Sequence, residues 1–95
     1  VQKYETEVFG DENGFHATCG EISVTQFTHP EAYAHIPSQK LKPTAKRSAW
    51  PLSPVAYREN FPDGRMGSNP ELASPQHGEK IFEIAVQTIQ KKLEN

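Results

Sequence analysis

The sequence predicts a small domain of mixed helix and strand that leans on a larger body for its core. Three observations carry this. Residues 75–93 read as a strongly amphipathic helix, residues 1–9 read as an edge strand, and prolines punctuate the whole stretch from 30 to 75. Such a chain has one good helix and too little else to cover it.

The elements follow in order. In "VQKYETEVF", Val1, Tyr4 and Val8-Phe9 stand among charges, as on an edge strand. "GDENG", Gly10 to Gly14, is a turn, because Asp and Asn bond back to the backbone and Gly supplies positive φ. Phe15 to Phe27 is open between two readings. Ile22, Val24 and Phe27 alternate roughly as in a strand, and the β-branched residues favour that. Phe15, Cys19 and Ile22 equally mark a helical stripe, and Pro30 stands where a helix must stop. From Pro30 to Pro75 the chain reads as a long Pro-rich connection, with Asp63-Gly64 and Asn69-Pro70 its sharpest turns. So long a connection makes better sense draped over a scaffold than inside an autonomous domain. The last element is the clearest. Ser74 is a good N-cap, Pro75 suits the first helical position, and Phe82, Val86, Ile89 and Leu93 form one apolar stripe with Ile81 and Ala85 beside it. Lys91 and Lys92 suit the negative end of its dipole.

Composition narrows the function classes. At 95 residues the chain holds one domain at most, and with 35% hydrophobic residues its core is marginal. A net charge of -2 gives no reason to expect nucleic acid or an anionic membrane as partner. No apolar run approaches the ~18 residues of a membrane span. Cys19 is the only cysteine, so no intrachain disulfide forms and a reducing, cytoplasmic location is expected. The first residue is Val1, which suggests processing or a piece of something longer.

The titratable groups are few. His16 follows the glycine-bounded turn, at the start of an element, where chemistry tends to sit. A neutral imidazole there can move a proton or bind a metal; its ordinary alternative is a bond to a nearby carbonyl. Glu21 lies five residues on, about 140° away on a helix and on the opposite face of a strand. If buried it needs a cation or donors, and the ordinary alternative is a solvated carboxylate. Asp11, Glu12 and Asn13 precede His16 and can orient it or touch a substrate. They lack the spaced oxygens of an EF-hand. His29, His35 and His77 show no metal spacing, and His77 is expected to be solvated. Ser48, Ser53 and Ser74 lack a nucleophile-elbow context. The basic cluster Lys40, Lys42, Lys46 and Arg47 with Trp50 fits solvent or a neighbouring subunit better than a phosphate.

Two segments together resemble one family. "HATCGEIS", His16 to Ser23, resembles the His-Ala-…-Glu-x-Ser signature of creatininase-family amidohydrolases, and "GRMGSNPELASPQHGEKIFEIAV", Gly64 to Val86, resembles that family's C-terminal stretch. The resemblance implies an α/β fold, a three-layer α/β/α arrangement with a mostly parallel sheet, of which residues 1–95 are the C-terminal portion. It implies a helix from about His16 to Thr28. It implies hydrolysis of a C–N bond, of cyclic amide or amidine type, in a small-molecule substrate at a divalent-metal site. Zinc, manganese and iron all suit such chemistry. His16 matches the family's proton-transferring histidine at the substrate. Glu21 matches a glutamate near the metal and is expected to help hold it. The family often has an acid shortly before this histidine; the nearest here are Asp11 and Glu12, and Asn13 stands three before His16. If Asn13 replaces that acid, it is expected to contact the substrate and to shift the substrate away from creatinine. The main metal ligands belong to the remaining N-terminal part of the fold, and a homo-oligomer such as a hexamer is implied. The alternative is a non-catalytic homologue acting as a binding or subunit-interface module.

Overall fold

A computed structural model describes residues 1–34 and 53–94. Five α-helices and two single 3₁₀ turns account for their regular structure. The helices are α1 (Gln2–Phe9), α2 (Cys19–Thr28), α3 (Pro30–Tyr33), α4 (Pro54–Asn60) and α5 (Pro75–Glu94), with 3₁₀ turns at Gly10–Asn13 and Pro70–Leu72. There is no strand among the described residues, and the one β pairing noted is an isolated antiparallel bridge between His16 and Met66. The expected α/β class with a mostly parallel sheet is therefore overturned for this chain. No described segment combines strand length with the continuous apolar run that a doubly covered parallel sheet requires.

The expected edge strand at residues 1–9 is instead α1. On a helix Tyr4 and Val8 share a face and Phe9 stands about 100° round from Val8, so a broad core-facing side holds all three, whereas a strand would turn Phe9 to the opposite face. That side is buried: Phe9 joins Cys19 and Ile81 in the core, with Tyr4, Val8 and Val24 packed around them. Gly10 ends the helix at φ 58, and the expected turn winds into the 3₁₀ segment Gly10–Asn13. His77 is not solvated as expected. The Tyr4 hydroxyl and His77 Nδ1 share a 2.8 Å hydrogen bond, and the Phe9 ring meets the imidazole edge-on.

The ambiguous middle segment is the helix α2, but it starts at Cys19, not His16. Thr18 and Glu21 form a reciprocal capping box that fixes the start. Ala17, just before it, has φ 50 and cannot continue a right-handed helix. The Pro-rich connection is less irregular than expected, since α3, α4 and the second 3₁₀ turn lie within it, each with proline at its first position. The basic cluster 40–47 with Trp50, together with His35 and Ser48, lies outside the described residues.

Helix α5 agrees with its reading. The His77 backbone N–H donates to Ser74 Oγ at 3.1 Å, and Lys91 and Lys92 close the last turn. Its seam against α2 is set by Gly78, where a Cβ would collide with the Ser23 carbonyl. The Ser23 hydroxyl, fully buried, donates to the Cys19 carbonyl and accepts from the Ser74 N–H at 3.1 Å. Of the apolar stripe, Phe82 leans on Phe27, while Val86, Ile89 and Leu93 are exposed, Leu93 at 81%. No described helix is long and apolar enough to cross a membrane.

Candidate functional site

The candidate residues surround the N-terminus of α2. This end presents unsatisfied backbone N–H groups, and the sequence supplies acceptors for them. Thr18 Oγ1 accepts from the Glu21 N–H at 3.1 Å, and Glu21 Oε2 accepts from the Thr18 N–H at 3.0 Å. Asn13 Oδ1 accepts from the Gly20 N–H at 3.0 Å. Two of the three candidates, Asn13 and Glu21, thus serve the same helix end from different sides.

Two open clefts flank this end. One, of about 520 Å³, is bordered by Glu5, Asp11, Asn13 and Phe15. The other, of about 430 Å³, is bordered by Glu5, Glu21, Val24 and Ile81. Asn13 and Glu21 therefore open onto different hollows, and Glu5 forms the wall common to both. Its carboxylate lies directly over Gly20, where a Cβ would strike it. Glu5 does not stand out in the sequence, because on an edge strand it is one solvated charge among several. A helical reading of Tyr4, Val8 and Phe9 would have turned Glu5 toward this region.

His16 borders neither cleft. It is exposed, and its backbone is held by Met66: the Phe15 N–H donates to the Met66 carbonyl at 2.6 Å and the Met66 N–H to the His16 carbonyl at 3.2 Å. Gly14 permits this approach, since a Cβ there would run into the backbone of Met66 and Ser68. The next residue, Ala17, carries the one positive φ found outside glycine among the described residues.

Cys19 is a structural thiol. Its S–H faces the carbonyls of Glu12 and Asn69, each at 3.0 Å. Burial raises its pKa, with the hydrogen bond at Asn69 opposing in part and the nearby Glu12 and Glu5 charges adding to the rise. A thiol held protonated is a poor nucleophile and a poor metal ligand. Among the described residues no group of three or more His, Cys, Asp or Glu side chains is placed to hold a metal ion. Glu21, engaged in its capping box, does not make a metal site alone, so the residues present do not fit a complete divalent-ion centre.

The sequence features behind the family resemblance meet in space. Cys19 reaches Asn69, Ser23 reaches Ser74 and Gly78, and His16 pairs with Met66. The family model for creatininase, described as creatinine amidohydrolase, matches residues 1–93. No curated protein matches the chain. A match over nearly the whole length, on segments that fold against one another, means that the chain belongs to the creatininase family of amidohydrolases.

Proposed function

We propose that this chain contributes the proton-transfer segment of a creatininase-type amidohydrolase that opens a C–N bond in a small cyclic amide or amidine. His16 is the group that moves the proton, and Asn13 contacts the substrate. The observation that carries this is the backbone at Ala17. A non-glycine residue at φ 50 directly after an exposed histidine stores strain of about 1 kcal/mol or more. Such strain persists only where the surrounding structure enforces it, and it clusters at functional sites; here it stands directly beside the exposed His16. An imidazole can hand a proton to a leaving nitrogen. In this reading zinc, manganese or iron is held chiefly by donors outside the described residues, with Glu21 at most an accessory ligand. The expected outcome for His16→Gln is a fall in kcat of about 10²–10⁴ on creatinine or a related cyclic amide, with melting temperature nearly unchanged. Steady-state kinetics beside calorimetry makes that check, and full turnover by the variant removes His16 from the chemistry.

A second reading is a binding or subunit-interface module. The exposed run Val86, Ile89 and Leu93 on α5 favours it, since a lone amphipathic helix gains little from a face left in water. It requires the His16→Gln protein to keep every measurable function.

A further inference from the structure

Arg65 has no part in the reading above, yet it is the most enclosed charged residue described, 7% exposed. A guanidinium in that state is costly unless its donors are met. Two of its donors are met within the loop. Nε donates to Asp63 Oδ2 at 2.6 Å, and Nη1 donates to the Ser68 carbonyl at 3.1 Å. The Arg65 backbone N–H adds a bond to Asp63 Oδ1 at 3.1 Å. One planar side chain thus ties both ends of residues 63–68 together. Met66 is at the centre of that loop and makes both backbone bonds to the His16 segment. Ser68, at its end, is pressed against Gly14. The His16 imidazole is exposed, so its location is inherited from this backbone pairing.

We propose that Arg65 is the positioning residue for His16: its guanidinium locks loop 63–68, and the loop's pairing through Met66 fixes where the imidazole stands. The catalytic half of this statement rests on His16 being the proton-transfer group; the mechanical half does not. Lysine cannot replace Arg65, because an ammonium has no planar fork to span Asp63 and the Ser68 carbonyl together.

The test uses the intact protein with Arg65→Lys and, separately, Asp63→Asn. Amide hydrogen exchange is followed at Phe15 and Met66, with α2 and α5 as internal reference, and creatinine hydrolysis is measured across pH. In both variants exchange at Phe15 and Met66 is expected to rise about tenfold while α2 and α5 keep their protection. Hydrolysis is expected to lose kcat at little changed KM. Unchanged exchange at both amides overturns the proposal. Loss of protection throughout α2 and α5 also overturns it, by making Arg65 a general fold residue. Altered exchange with kcat and its pH profile intact removes the link to His16. If the unmutated protein does not hydrolyse creatinine, it is the proposed activity on that substrate that fails, while the exchange data still decide the mechanical half.

Discussion

Asp63 shows how much one side chain can hold. Burial alone would push its carboxyl upward, but the Arg65 side-chain and backbone hydrogen bonds outweigh that and set it below the ordinary 3.8. A folded-state pKa below the unfolded one stabilises above the unfolded value, and that gain is lost as pH falls through the folded value. Acidification below about pH 3.8 is therefore expected to release loop 63–68, and Asp63→Asn is expected to flatten that part of the stability curve. Chemical denaturation at stepped pH makes the comparison. The size of the effect is modest, because the Asp63 side chain is 44% exposed and solvent screens it. Arg65 itself was not legible in the sequence. An arginine in a run of turns reads as solvated, and only the closed loop shows that it is enclosed.

At the scale of elements, α5 was legible nearly residue by residue, since its cap, first-turn proline, apolar period and terminal lysines all agree. Helix α1 was not, because a few apolar residues scattered among charges read as an edge strand, and the one sign against it, Phe9 falling on the far face from Tyr4 and Val8, counts only once the partner surface is known. The family resemblance puts the start of α2 at about His16, three residues early; the Thr18–Glu21 pair has the spacing of a capping box and marks the observed start. The α2–α5 seam carries its own prediction. In an isolated helix Gly→Ala is stabilising by about 1 kcal/mol. At Gly78 the sign reverses, because the new methyl collides with the Ser23 carbonyl and the helices must part. Gly78→Ala is expected to destabilise by about 1–3 kcal/mol, read from urea denaturation.

Across the whole molecule, contacts between the first 34 and last 42 described residues hold the fold together. Ser23 is a fully buried one among these ties, its hydroxyl serving Cys19 within the first part and Ser74 in the second. Ser23→Ala leaves the Ser74 N–H without its acceptor and is expected to lose about 1–3 kcal/mol in one cooperative transition, measured by calorimetry. The parallel sheet expected from the family resemblance had only an edge-strand reading of residues 1–9 and a loose alternation at Ile22, Val24 and Phe27 behind it, and no strand formed among the described residues. The resemblance was sound for membership and misleading for this chain's architecture. One feature of the site reaches further. Because the Glu5 carboxylate is a party wall between two hollows, remodelling it reshapes both tenants' quarters in a single stroke. Changes on the Asn13 side and the Glu21 side are then not independent, and paired substitutions with Glu5 should depart from additivity in a double-mutant cycle.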